Sequence, residues 1–161
     1  MVLNPEPHCV ELVYAGQSVA VTETATSFEN ERQKVEISLV KSIEQNECFG
    51  IGTNGEMKNI SFVLFAAEEI VSASGTPIPA DGLIEIISLN EDGTAKVKTD
   101  LPCGSYYVQE LATDSHYKLS DTKYPVTFGY ANQDTAVLKI AANDGKAIEN
   151  DLLYGSVSLT K

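Results

Sequence analysis

Two stretches far apart in this 161-residue chain are near copies of one another, and that repetition limits what the chain can fold into. Phe28-Glu29-Asn30-Glu31 aligns with Ile148-Glu149-Asn150-Asp151. Without a gap the match runs on to Ile37-Ser38-Leu39-Val40-Lys41 against Val157-Ser158-Leu159-Thr160-Lys161, an offset of 120 residues. Upstream, Tyr14-Ala15-Gly16-Gln17 matches Tyr130-Ala131-Asn132-Gln133, and Leu3 and Val10 match Leu119 and Val126, now at an offset of 116. Residues 3–41 therefore resemble residues 119–161 with one four-residue gap. Order, spacing and residue type agree across three separate blocks, which points to a tandem array with a period near 120 residues. On this reading residues 1–33 are the C-terminal strands of a preceding repeat and a partial copy of 119–153. Residues 34–153 are one complete domain, and 154–161 are the first strand of the next repeat. Unpaired strands expose sticky edges, so residues 1–33 are expected to pair with the complete domain or with another chain. Because they imitate that domain's own last strands, strand exchange between copies is one such route.

Within the repeat, helical periodicity is scarce and short alternating apolar runs are common. Strands are expected at Val35–Lys41, Ile60–Ala67, Leu83–Leu89, Thr94–Lys98, Ser105–Glu110, Pro125–Tyr130, Thr135–Ala141 and Ser156–Leu159. Turn signals such as Thr53-Asn54-Gly55, Asn90-Glu91-Asp92-Gly93 and Asn143-Asp144-Gly145 separate them. This spacing reads as an all-β sandwich. Leu83–Leu89 and Thr94–Lys98 flank Asn-Glu-Asp-Gly and are expected to form a hairpin; at Phe65–Ile70 a helical turn is the lesser alternative to the strand reading. With 43% hydrophobic and 21% charged residues the chain has enough apolar material for a core.

Strand side chains alternate faces, so period two shows which residues travel together. In Val35–Lys41 the apolar set is Val35, Ile37 and Leu39, and Lys41 is next on that face. In Tyr106–Glu110 the inward set is Tyr106, Val108 and Glu110; in Ile148–Leu152 it is Ile148, Asn150 and Leu152. A lysine, an acid and an amide thus occupy core-facing positions, where charges are rare unless paired. A strand-end lysine that snorkels to water, or a register break, is the alternative for each one.

At these residues the chain resembles the Cna B-type or SpaA-type domains of Gram-positive pilins and adhesins. Those domains open on a strand ending in a Leu-Thr-Lys-like motif, here Leu39-Val40-Lys41, with Leu159-Thr160-Lys161 in the next copy. They carry a Leu-Pro-Pro-Gly-x-Tyr-x-Val-x-Glu segment, here Leu101-Pro102-Cys103-Gly104-Ser105-Tyr106-Tyr107-Val108-Gln109-Glu110. A Gly-Tyr-x-Leu-like element follows as His116-Tyr117-Lys118-Leu119, and a strand with Asn150 precedes Gly155-Ser156-Val157. Cys103 replaces the usual second Pro, and the Ala-Pro after the acid is Ala112-Thr113. The resemblance implies an immunoglobulin-like, prealbumin-like β-sandwich. It also implies an intramolecular isopeptide bond between Lys41 Nζ and the Asn150 side-chain carbonyl, with Glu110 as the assisting acid; Asn30 and Lys161 are the equivalents in neighbouring repeats.

The chemistry agrees with that assignment. The amine must be neutral to attack, and a protonated acid polarises the amide. In water, moving the proton from Lys to Glu spans about 6 pKa units, or roughly 8 kcal/mol; burial works on both groups by up to ~3–5 units each. Proximity replaces an external enzyme, and the protonated acid would donate to the Asn150 carbonyl and shuttle protons as ammonia leaves. The event occurs once per chain, so the chain is not a turnover enzyme.

Other chemistry is thin. Acids outnumber bases 23 to 11, for a net charge of −12, which argues against nucleic-acid or anionic-membrane binding. No apolar run approaches the ~18 residues of a membrane span, and MVLNPEPH lacks the basic and apolar regions of a signal peptide. His8 and His116 have no metal-ligand spacing, no nucleophile motif or phosphate loop is present, and neither a metal nor a cofactor is expected. Of Cys9, Cys48 and Cys103, the last two are read as either a disulfide or free thiols. The resemblance implies a structural stalk repeat of an adhesin or pilus-like protein on the cell-wall-anchored surface of a Gram-positive bacterium. Its partners would be adjacent repeats, with host matrix or glycan reached through other domains. The alternative is a ligand-binding module on the same fold.

Overall fold

In a computed structural model, residues 2, 4–11, 17, 27, 29–71 and 74–161 are described. Ten strands form: β1 Lys34–Ile43, β2 Ser61–Ala66, β3 Ile70–Val71, β4 Pro77–Ile78, β5 Leu83–Ser88, β6 Thr94–Lys96, β7 Gly104–Ala112, β8 Tyr124–Phe128, β9 Val137–Ala141 and β10 Ile148–Asn150. A single 3₁₀ turn occurs at Glu56–Asn59 and a turn with left-handed backbone at Ala142–Gly145, and no α-helix occurs among the described residues.

One sheet is built on β1, with β6 antiparallel on one side and β9 and β10 parallel on the other. The second has the order β5-β2-β7-β8. β3 and β4 form a separate two-stranded ribbon. Alternation places Ile37 and Leu39 of β1, Ala95 of β6 and Ile148 of β10 against Phe62 and Leu64 of β2, Ile87 of β5, Tyr106 and Val108 of β7, and Val126 and Phe128 of β8. This is the expected sandwich.

Three local expectations are corrected. Leu83–Leu89 and Thr94–Lys98 do not form a hairpin: β5 pairs with β2 and β6 with β1, so Asn90–Gly93 carries the chain between sheets. The turn itself closes as expected, Gly93 N donating to Asn90 O at 3.0 Å, but Gly93 O receives Lys41 N at 2.8 Å and so delivers the chain to β1. A side chain at Gly93 has no room, since a Cβ there would lie 2.3 Å from Lys41 O, and its φ is +79°. Phe65–Ile70 is not helical; β2 continues to Ala66 and Ile70 begins β3. Ser156–Leu159 is exposed and carries no strand, because no strand of the described residues pairs with it to receive its backbone groups. The strands expected within residues 1–33 lie mostly outside the described residues; the described positions among them carry none.

Between β9 and β10 the chain sidesteps. Ala141 pairs with Ser38 and Ile148 with Lys41. While β1 advances by three residues its partner advances by seven, so the 4 residues of the turn Ala142–Gly145 are looped out. Asn143, Asp144 and Gly145 take left-handed φ of 55°, 53° and 77° to do this. The sidestep returns Ile148 and Asn150 to the inward face of the sheet, where both are buried.

Candidate functional site

Lys41, Glu110 and Asn150 close one end of the core. Each sits two residues beyond a core hydrophobe on the same face, Leu39, Val108 and Ile148, so alternation carries all three inward. Their exposures are 2%, 5% and 3%. The parallel register sets Lys41 opposite Ile148 and Ile43 opposite Asn150, which makes Lys41 and Asn150 diagonal neighbours on adjacent strands.

The hydrogen bonding is specific. Lys41 Nζ donates to Ser42 O at 2.8 Å and to Ile148 O at 2.9 Å. Two N–H groups of a neutral amine meet both needs and leave its lone pair free. Burial lowers the Lys41 pKa to about 8, against the opposing pull of Glu110, Glu149 and Asp151. Asn150 Nδ2 donates to Glu110 Oε1 at 2.7 Å and to Thr113 Oγ1 at 2.9 Å. Glu110 Oε2 accepts Ser120 N at 2.9 Å. Asn150 Oδ1 is buried and has no hydrogen-bond partner among the described residues.

The sequence therefore identifies all three inward polar residues, and the structure brings them together. It differs in one contact: Glu110 meets the Asn150 nitrogen rather than its carbonyl oxygen. Thr113 and Ser120 were not foreseen. Thr113 lies one residue past the end of β7 and beyond a bulge at Leu111, which shifts the alternation by one residue. The equivalents Asn30 and Lys161 are exposed, in segments without strand structure.

Cys48 and Cys103 are exposed free thiols, not a disulfide. Cys103 lies near Arg32, just before β1, and Cys48 follows the end of that 10-residue strand. Ten extended residues span about 33 Å, whereas a disulfide requires Cα atoms within ~7 Å. Among the described residues no cluster of three or more His, Cys, Asp or Glu is arranged to hold a metal ion. No helix among them is long and apolar enough to cross a membrane. His116 Nδ1 lies 2.6 Å from Asp114 Oδ1 at the surface. An apolar cavity of about 430 Å³ opens at the other end of β1, lined by Ile70, Ile78, Leu101, Tyr106 and Tyr130.

Among known families, the SpaA prealbumin-like fold domain matches residues 50–146. Solved structures with similar folds include the minor pilin GBS52 of Streptococcus agalactiae, 17% identical, covering 80% of this chain and 49% of that one with a TM-score of 0.47. The major pilin SpaA of Corynebacterium diphtheriae is 21% identical over 73% of this chain and 30% of its own, with a TM-score of 0.42. The pilus 2b backbone protein of group B streptococcus is 19% identical over 75% and 42%, with a TM-score of 0.44. The chain spans less than half the length of each of these structures. No curated protein matches it in sequence.

Proposed function

The chain belongs to the SpaA family of prealbumin-like fold domains, and on that premise we propose that residues 34–153 form one structural repeat of a pilus-like or adhesin stalk, locked by a Lys41–Asn150 isopeptide bond. Residues 1–33 and 154–161 belong to the repeats on either side, and the stalk stands on the cell-wall-anchored surface of a Gram-positive bacterium. The observation that carries this reading is the buried contact between Asn150 and Glu110 beside a lysine held by the strand that bears Asn150.

The reaction balances within the site. A proton passes from the Lys41 ammonium to the Glu110 carboxylate. The neutral Nζ attacks Asn150 Cγ and a Cγ–Nζ bond forms. Glu110 takes a second proton from Nζ and gives one to Nδ2, the Cγ–Nδ2 bond breaks, and ammonia leaves. Glu110 ends protonated, so a buried charge pair is replaced by a neutral acid and a neutral amide, which a dry site favours. The contact of Glu110 with Nδ2 supports its role as the acid that protonates the leaving group.

The bond would join the first and last strands of the domain. Force entering at β1 and leaving past β10 would then bypass everything between residues 41 and 150, which suits a load-bearing repeat. A ligand-binding role is the second reading, favoured by the cavity beside Tyr106. It stands second because the charged rim of that cavity, Arg32 with Asp100, is already satisfied within the chain.

Intact mass of the denatured chain tests the proposal. The parent should be one ammonia lighter than calculated, and Lys41→Ala and Glu110→Ala should keep their full masses. A parent of full calculated mass would falsify the bond and leave the three residues as a hydrogen-bonded cluster.

A further inference from the structure

We propose that Thr113 is a further working residue of the cross-linking site, acting with Glu110 to fix the side-chain amide of Asn150; this rests on the Lys41–Asn150 reading above. Both N–H groups of Asn150 Nδ2 are engaged, one by Glu110 Oε1 at 2.7 Å and one by Thr113 Oγ1 at 2.9 Å. Held by one contact, a terminal amide swings about its last torsion, which is broad and roughly two-fold. Held by two on the same nitrogen, its plane is set. The setting carries a cost, because Asn150 Oδ1 is left buried with no partner among the described residues. The amide keeps this orientation because its nitrogen is anchored twice, and Thr113 supplies one of those anchors.

The nitrogen so held is the atom that must leave. As the Cγ–Nζ bond forms, Nδ2 becomes amine-like and needs one proton before the Cγ–Nδ2 bond breaks. Thr113 Oγ1 accepts a hydrogen from Nδ2, which keeps that nitrogen against Glu110 and makes it a better proton acceptor. The hydroxyl gains and loses no proton over the reaction. Positioning of this kind contributes through orientation rather than through new charge.

Thr113 is held for this task by its neighbour. β7 ends at Ala112, and the buried Asp114 then accepts Asn59 Nδ2 at 2.6 Å, His116 N at 3.1 Å and His116 Nδ1 at 2.6 Å. A bulge at Leu111, where β7 sets Glu110 opposite Phe62 but Ala112 opposite Ser61, shifts the alternation by one residue and brings Thr113 to the face of Glu110. The Ala-Pro expected after the acid is Ala112-Thr113 here, so the hydroxyl is a feature of this chain rather than of the pattern it resembles.

The test follows ammonia loss by intact mass at successive times after cell-free synthesis of the full chain. Thr113→Val keeps the shape and removes the hydroxyl; it should slow the loss about tenfold, the effect of one hydrogen bond. Thr113→Ser should restore the parental rate, which a packing role for the threonine methyl would not allow. Melting of Thr113→Val in a Glu110→Gln background, against Glu110→Gln alone, confirms that the fold is intact; if the valine chain does not fold, Thr113→Ala takes its place. A valine variant as fast as the parent overturns the inference, and so does a serine variant as slow as valine. In both cases the parent still loses ammonia and the Lys41–Asn150 bond stands. A parent that never loses ammonia overturns that bond and the role of Thr113 together.

Discussion

Ile37-Ser38-Leu39-Val40-Lys41 and Val157-Ser158-Leu159-Thr160-Lys161 are close to the same pentapeptide, yet they occupy opposite environments. In the first, Ile37 and Leu39 are 1% and 3% exposed, and Lys41 is sealed against two backbone carbonyls. In the second, Val157 and Leu159 are 92% and 97% exposed, and no strand forms. Alternation is identical in both. What differs is the presence of β6, β9 and β10 beside the first. A strand signal thus states which faces a segment would present, while the neighbouring strands decide whether it presents them.

The largest separation between the two segments is expected at their lysines. Lys41→Ala should retain the mass of one ammonia and lose the cross-link. By analogy with a disulfide, closing a loop of about 100 residues contributes roughly 4.7 kcal/mol, readable as a lower denaturant midpoint. Lys161→Ala should match the parent in both measurements. Next come the leucines: Leu39→Ala should cost about 2–5 kcal/mol, and Leu159→Ala no more than about 0.5 kcal/mol. If Leu159→Ala costs as much as Leu39→Ala, the second segment is packed in solution and the contrast fails.

A subtler difference concerns protons. The proposed chemistry needs one proton held between Lys41 and Glu110, whichever of them carries it. With the Lys41 pKa lowered to about 8 by burial, that proton is lost as pH rises through 8, and Glu110 then has none to give to Nδ2. The rate of ammonia loss should fall about tenfold per unit well above pH 8. A rate that climbs from pH 8 to 10 would show that amine neutrality alone limits the reaction.

A small effect is also expected from deleting Ala142–Gly145. The offset between the two copies changes from 116 to 120 between Gln133 and Ile148, and these four looped-out residues lie in that interval. Without them, Ala141 opposite Ser38 would run directly into Lys146, and Ile148 would still fall opposite Lys41. The deleted chain should therefore still lose ammonia, at a stability cost of about 1 kcal/mol for the buried Ala142. Retention of full mass would show that the sidestep, and not register alone, sets Asn150.

The candidate site was largely legible in the sequence because its three residues obey period two: Lys41 follows Leu39, Glu110 follows Val108 and Asn150 follows Ile148. Thr113 was not legible for the same reason, since a bulge at Leu111 breaks period two between Glu110 and Thr113, and that bulge is a matter of how β7 pairs with β2. Asn90–Gly93 is a turn, as its residues imply, but it links two sheets and not the two arms of a hairpin. A short turn specifies a reversal of the chain, not which strand receives it.

From the sequence by itself came most of the strands, their inward faces, the likeness between the two ends of the chain and the three polar residues that share the core. These are local properties, carried by alternation and by residue type. Only the tertiary structure decided that β5 and β6 belong to different sheets, that Glu110 meets the nitrogen of Asn150, that Thr113 joins them, and that Cys48 and Cys103 lie apart. Those outcomes depend on which distant segments come to lie side by side, and hydrogen-bonding capacity along a strand is the same whichever partner fills it.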